Sequence, residues 1–559
     1  MGIVFSAANK LASIPGLTRV WHHSAVLACC LTGALILWLT MGGLERPVVA
    51  LMCDAGVIAS IAAAYDHPDY FARDSVLSNQ KQFEIYVAFH APATRALARL
   101  TGDYGAAFRL LIIPVYTIYG VAFYYLGVSL FQKPSYGLLL LLLNLIHVKG
   151  PRDTAWGPFP DALPRVAHAA LFAMMVAVLW HWRNKPGRWW ALFAAAAAGV
   201  YVHPVSTPAA LAMLTFACLA IGWRAHFLRR AVLHVGIGLA MAALLLAPFG
   251  LTFAAHELGS SVSAAMPDPA EEIAQIVQTR FAWGYLSPLR TIYYYFTRPE
   301  VLLIAALGAV SAGCLLTFVR NASSTLLATL CGGMLVGLMV AAACIPVLLE
   351  LTTATIEFAG FKGELTRPLR YVIPISYLPL LGAVHAGRTT FGIEHRFARV
   401  AFWVALVLIG LVAFLAAYGF FQKYIHGEKS VAVQELVIEV KNNVPVGTPV
   451  LAVMIEPLPI RYAALRPLYF ALKDIPSRTD LDAAREWHSN AQRMRELLNE
   501  SSLRKRLNGS VDWAKASSIS WLIIEVPEEV EIARSEAEKD VPHGATVVFS
   551  NKHFLLLRL

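Results

Sequence analysis

Residues 324–349 pass without one charged side chain, and ten further stretches of the chain are nearly as apolar. A helix needs about 20 mostly apolar residues to cross a bilayer. Runs of that length therefore force a bundle of membrane helices, because lipid cannot satisfy backbone polar groups left outside regular structure. Eleven spans are predicted, near 23–43, 105–130, 136–149, 165–182, 189–204, 207–223, 231–252, 301–319, 324–349, 369–387 and 398–421. His203-Pro204 and Thr207-Pro208 break what would otherwise be one long helix, since proline cannot continue the hydrogen-bond ladder. The chain has 559 residues, 57% hydrophobic and 15% charged. A soluble domain carries about 25% charge.

Charge orients the bundle. With the N-terminus inside and the spans alternating, the inner segments hold Lys10, Arg19, Lys133, Arg183, Lys185, Arg188, Arg224, Arg229, Arg230, Arg320, Arg388, Arg396 and Arg399. Glu394 is the single acid among them. Positive residues gather on the cytoplasmic side of membrane proteins, so topology accounts for the net charge of +10 without a nucleic-acid partner. The same parity puts the 44–104, 253–300 and 350–368 loops and everything after residue 425 outside. In a bacterial inner membrane that side is the periplasm. The first span lacks an obvious cleavage site and is expected to stay as an anchor. Val48–Ala64 reads as a helix lying along the membrane surface. Two units follow: a transmembrane bundle over 1–425 and a soluble α/β domain over 426–559. In the second, strands are expected at 449–454, 467–471 and 518–526, a hairpin at 546–550 and 553–557, and helices at 435–442 and 480–505.

Of the seven cysteines, all but Cys53 fall in apolar spans and read as small buried hydrophobes. No phosphate loop, dinucleotide fingerprint, nucleophile elbow or zinc-protease motif is present. Charges within the spans are scarce, which argues against a coupled transporter.

Four groups could carry chemistry. Asp66, His67, Asp69, Arg73 and Asp74 follow one another in the 44–104 loop. A carboxylate there could serve as a general base or hold a divalent cation, the one cofactor the group suggests. Equally, Asp66 could cap a short helix in a solvated loop. Lys362, Arg367 and Arg370, with Arg280, Arg290 and Arg298, form a basic group at span ends. They suit a phosphate, or snorkel to lipid headgroups. His203 could bond a phosphate or be a satisfied interfacial residue. Arg461-Tyr462, Arg466-Pro467 and Lys473-Asp474 follow strand ends, where α/β sheets present ligands, but fit best as the joint between the soluble domain and the bundle.

Tyr65-Asp66-His67 with Asp74, Pro164-Arg165, His203-Pro204, Arg367-Pro368-Leu369-Arg370 and the C-terminal Arg461-Tyr462, Arg466-Pro467 and Lys473-Asp474 together resemble the GT-C superfamily of membrane glycosyltransferases. The resemblance covers nearly the full length through short motifs. It implies an α-helical polytopic bundle with a C-terminal α/β domain, a polyprenyl-phosphate-linked sugar as donor, and a catalytic acid in the first outer loop. That acid would be Asp66, Asp69 or Asp74. His67, Arg73, His203, Arg280, Arg367 and Arg370 would bind substrate. The better-understood members often carry an acidic pair soon after the first span; here Glu45 stands alone before Arg46-Pro47. The alternative is a non-enzymatic scaffold or lipid-binding assembly protein that meets a protein partner through residues 426–559.

Overall fold

The computed structural model describes residues 15–51, 53–83, 88–150, 154–159, 161–257, 287–319, 321–352, 364–390, 427–472, 481–527 and 541–559. These residues form a mostly helical molecule with one small sheet near the C-terminus. Among the described residues, seven helices are long and apolar enough to cross a membrane: His23–Thr40, Tyr104–Phe131, Pro164–His181, Pro204–Arg224, Leu228–Ala254, Pro299–Thr317 and Ala322–Leu349. Leu233, Leu244, Leu251, Leu302, Leu303 and Val310 point away from the protein on two of them. Such a surface is stable only in an apolar solvent, so the chain is a multi-pass membrane protein. The expected 398–421 span lies outside the described residues. The expected 369–387 span corresponds to a helix over Val372–Thr390.

Two expected spans end early. The helix Pro134–Asn144 has 11 residues and Trp190–Ala198 has 9. At about 1.5 Å per residue, neither covers the ~30 Å of a bilayer core. Each stops where the sequence offers the backbone another partner. Asn144 turns its amide back onto the Leu140 carbonyl at 2.8 Å and accepts the Trp156 indole at 3.1 Å. Val148 and Trp156 then pair as a two-residue bridge. Phe159 seals this fold onto the bundle: Tyr116 donates to its carbonyl and accepts from its amide, both at 2.7 Å. After Ala198 the chain makes two short 3-10 turns, Gly199–Tyr201 and Pro204–Ser206. Irregular backbone is tolerated among membrane helices where protein buries it, and residues 154–159 are all buried.

One close helix crossing uses Gly333 and Gly337, four apart. A Cβ on Gly337 would sit 2.4 Å from the Ala212 carbonyl oxygen, and one on Gly333 2.7 Å from that of Phe216. Small residues at this spacing let two backbones touch in the absence of a hydrophobic drive between helices.

The predicted surface helix is Cys53–Asp66. Ala55, Ile58, Ala59, Ile61, Ala62, Ala63 and Ala64 are all buried. A helix that is apolar all round belongs inside protein, and this one is enclosed between the His90–Thr101 helix and the Leu458–Tyr462 helix. It does not float on lipid with one face free.

The C-terminal sheet has the order β1 (Val450–Val453), β2 (Trp521–Glu525), β4 (Phe554–Arg558), β3 (Thr546–Ser550). β1 and β2 are parallel; the other pairings are antiparallel. Alternation divides its side chains between two cores. Leu451, Val453, Leu522, Ile524, Leu555 and Leu557 pack with Trp487, Met494, Leu507 and Trp513 of the helices Leu481–Asn499 and Leu503–Ala516. Val450, Ala452, Ile523 and Leu556 join the core that includes Leu436, Val437 and Val440 of the helix Glu428–Asn443. The expected strand at 467–471 is reduced to one bridge, Leu468 to Val450. The helix expected over 480–505 is two helices, restarted by Ser502, whose hydroxyl accepts from the Lys505 amide.

Gly337→Val should lower the melting temperature of detergent-purified protein by several degrees and cost about 1–3 kcal/mol. Gly332→Ala, where a Cβ meets nothing within 4 Å, should leave it unchanged. Equal melting temperatures for the two variants would show that the crossing tolerates separation.

Candidate functional site

The expected site residues fall into three groups, with four residues left outside them. Asp69, Arg73 and Arg290 are exposed and Arg298 is half-buried. Arg280 and Lys362 lie outside the described residues, as do Lys473 and Asp474.

Asp74 lies at the joint. Its carboxylate accepts from Arg461 twice, Nε at 2.8 Å and Nη2 at 2.7 Å. It also takes the backbone amides of Val76, Leu77 and Leu468 at 3.1, 2.9 and 2.8 Å. Asp74 is 2% exposed and Arg461 1%. A bidentate pair this well bonded can offset the loss of water that makes most buried ion pairs poor. Next to it Tyr462 donates to the Val49 carbonyl at 2.7 Å, and the Ser75 amide donates to that of Leu468 at 3.0 Å. The Arg461-Tyr462 stretch is thus a docking joint, as its sequence suggests. Arg466 is spent on the Val444, Lys441, Ala464 and Leu465 carbonyls of its own domain.

Asp66 ends the Cys53–Asp66 helix and is half-buried. Arg95 grips it through Nε at 2.8 Å and Nη2 at 2.7 Å, and the Tyr104 hydroxyl donates to its other oxygen at 3.1 Å. His67 stacks on Tyr70 at 4.8 Å and meets the edge of Tyr104 at 6.0 Å. Asp66 is therefore oriented, though not capping a helix start. Arg95 and Tyr104 carry no local motif and were missed by sequence reasoning.

The third group sits inside the bundle, where the short Trp190–Ala198 helix gives out. His203 Nδ1 is 2.8 Å from Ser206 Oγ, and the Pro204–Ser206 turn packs against the Arg367–Tyr371 turn. The Tyr371 hydroxyl is 2.7 Å from His168 Nδ1. The two imidazoles lie 6.2 Å apart, edge to face. The charges of Arg370, Arg367 and Arg165 all act on His203. Arg370 is 2% exposed, with Nε donating to the Arg367 carbonyl at 3.0 Å. Arg367 pairs with Glu364 at 2.6 Å. Arg165 lies over the Phe159 ring at 4.1 Å, and Tyr295 is buried within the field of Arg370. Its neighbours Tyr293 and Tyr294 are exposed. The five-residue π turn Val340–Cys344 also packs against the Arg367–Tyr371 turn; such bulges recur at functional sites.

His203, Arg367 and Arg370 are thus brought together, and Arg165, His168, Ser206, Tyr295 and Tyr371 join them. Arg165 and His168 were legible in principle: ionisable residues three apart inside an apolar span ask for a partner. Asp66 and His203 belong to separate groups linked by one helix. The Phe89 amide, just before the His90–Thr101 helix, donates to the Tyr201 carbonyl at 2.8 Å, and Arg95 follows about a turn and a half along.

A divalent cation does not fit these groups. Asp66 and Asp74 give their oxygens to Arg95, Tyr104 and Arg461. Among the described residues, no three His, Cys, Asp or Glu side chains converge.

No family model matches this chain, and no curated protein matches it.

Asp74→Ala should strand the buried Arg461 charge and cost about 3–5 kcal/mol, read as a lower melting temperature and as protease cleavage near residue 427. An unchanged digestion pattern would show that the joint does not need the pair. A second test uses His90, which is fully buried beside Phe89 and Phe108. Burial lowers its pKa from 6.5 to about 4, against a smaller opposing effect of the Ala162 backbone. The folded state therefore holds the neutral ring. Stability is complete above pH 6.5 and falls as pH drops towards 4, by at most about 3 kcal/mol. Melting curves from pH 7.5 to 4.5 should show that slope, and His90→Gln should flatten it.

Proposed function

We propose that the chain is a membrane glycosyltransferase of GT-C type, moving a sugar from a polyprenyl-phosphate donor to an acceptor on the outer side of a bacterial inner membrane. One observation carries this reading: Arg165, Arg367 and Arg370 are gathered with two histidines and two tyrosines inside an apolar bundle. Guanidinium groups match phosphate oxygens in charge and in geometry. Interrupted helices beside such a group are also where membrane proteins place polar substrates. A lipid phosphate entering sideways from the bilayer would suit such a place. The resemblance in sequence adds the sugar and the reaction.

In this reading Arg370, Arg367 and Arg165 hold the donor phosphate as charge develops on it. Asp66, kept in one orientation by Arg95 and Tyr104, or the exposed Asp69, takes the proton of the acceptor hydroxyl. Asp74 keeps the loop in place through Arg461 and takes no proton. The third carboxylate of the original trio thus acts through position alone.

Asp66→Asn and Asp69→Asn, purified as folded protein, are the test. Sugar transfer from polyprenyl-phosphate-linked donors in proteoliposomes should fall about 10²–10⁴-fold in the variant that removes the base. Wild-type rates in both variants would remove these residues from the mechanism. Arg370→Gln should raise KM for the donor without lowering the melting temperature.

A further inference from the structure

At one end of the bundle the Pro164–His181 helix stops and the Trp190–Ala198 helix starts. The turn between the Thr207–Arg224 and Leu228–Glu257 helices lies at the same end. Packing joins the two turns. The short Pro186–Arg188 turn lies against the Leu228–Glu257 helix. A Cβ on Gly187 would sit 3.8 Å from His234 Cε1, and the Trp189 ring is 6.1 Å from that of Phe227. Trp189 Nε1 donates to the Trp182 carbonyl at 3.1 Å, and the Phe227 amide to that of Gly222 at 2.8 Å.

The joined surface is cationic. It carries Arg183, Lys185, Arg188, Arg224, Arg229 and Arg230, and no carboxylate occurs between Asp161 and Glu257. Arg183 is half-buried and the others are exposed. None of them forms an ion pair among the described residues. Gathering so many like charges is unfavourable unless an anion lies between them. Arg183 and Arg188 are also aimed: they lie 4.8 and 5.9 Å from the Trp180 and Trp182 rings.

The depth of the surface is fixed by its tryptophans. Trp190 and Trp223 are exposed, and exposed tryptophan settles where lipid tails meet headgroups. Arg224 follows Trp223 directly, and only Ala225, His226 and Phe227 separate it from the next helix. Turns this short keep the cations at headgroup level. This end also lies away from the soluble domain. The Trp190–Ala198 helix leads from it to Tyr201, whose carbonyl accepts the Phe89 amide. The His90–Thr101 helix that follows packs on the Cys53–Asp66 helix, which the Leu458–Tyr462 helix covers.

We propose that this surface binds the phosphates of anionic lipids in the leaflet away from the soluble domain, and so clamps the two turns together. Guanidinium forks match phosphate oxygens. Each cation near an anionic leaflet strengthens attachment about fivefold. A soluble acidic protein would need cations standing clear of the headgroups. Inorganic phosphate would meet the same side chains but has no acyl chains to hold it there. The surface is separate from the His203 group, and its binding does not depend on sugar transfer.

Native mass spectrometry of full-length protein in detergent micelles, titrated with phosphatidylglycerol or phosphatidylcholine, tests this. The wild-type protein should bind phosphatidylglycerol more tightly. Arg188→Gln/Arg229→Gln/Arg230→Gln should weaken that binding about 10²-fold, towards the level of phosphatidylcholine. Arg229→Gln/Arg230→Gln is the milder variant if the triple one does not fold, with a loss of about 25-fold. Arg504→Gln/Lys505→Gln, which removes two exposed cations of the soluble domain, should leave the preference intact. At matched ionic strength, inorganic phosphate should displace no more lipid than chloride does. Equal binding of the two lipids, a preference that survives neutralisation of the turns, or one lost in the soluble-domain variant would each overturn the proposal. So would displacement of the lipid by inorganic phosphate, which marks a free-anion site, or by polyglutamate, which marks a soluble acidic partner.

Discussion

The buried pair of Asp74 and Arg461 holds two parts of the chain that sequence separates by 387 positions. Each charge would be costly alone in that place. Together, with three backbone amides on the same carboxylate, they make the joint specific, because five donors converge on one group. The Cys53–Asp66 helix depends on this contact, because its apolar surface needs the Leu458–Tyr462 helix as a cover. The orientation of Asp66 depends on it in turn, since Asp66 closes that helix.

A second constraint works inside the bundle. Two helices stop at 11 and 9 residues, and the chain that follows each is folded back among its neighbours. Regular helix would have buried no polar side chain there. Giving it up lets Asn144, Tyr116 and Trp156 close one irregular segment and lets His203 bond Ser206 in the other. The cationic group and the interrupted helices are thus one feature. The break in the backbone provides the space and the bonds that a buried polar cluster needs.

The bundle and the α/β unit were legible because apolar runs, long in the one and short in the other, act locally. The Ser518–Val526 strand reads as a short apolar run buried on both faces, and the 546–557 hairpin as two short apolar runs around Asn551-Lys552. The short spans at 136–149 and 189–204 were misjudged in length, because hydropathy counts residues and cannot see that Asn144 and His203 have partners elsewhere. The Val48–Ala64 helix was placed on lipid for the same reason: an apolar surface does not say whether lipid or protein covers it. In the candidate site, Arg367, Arg370 and His203 could be picked out by charge in a greasy setting. Tyr371, Ser206 and Tyr295 could not, because a tyrosine or serine in an apolar stretch is ordinary until its neighbours are known.

Composition and patterning by themselves determined that this chain lives in a membrane, that its last part forms a sheet with helices, and that a few charges in the apolar part need a reason. Those are properties of the chain read a turn or a strand at a time. Which carboxylate is sealed into a joint and which is held at a surface was decided only in three dimensions. So was the meeting of Arg165, His168, His203 and Arg370. A carboxylate's role is set by the donors around it, and those donors come from distant segments that packing alone brings together.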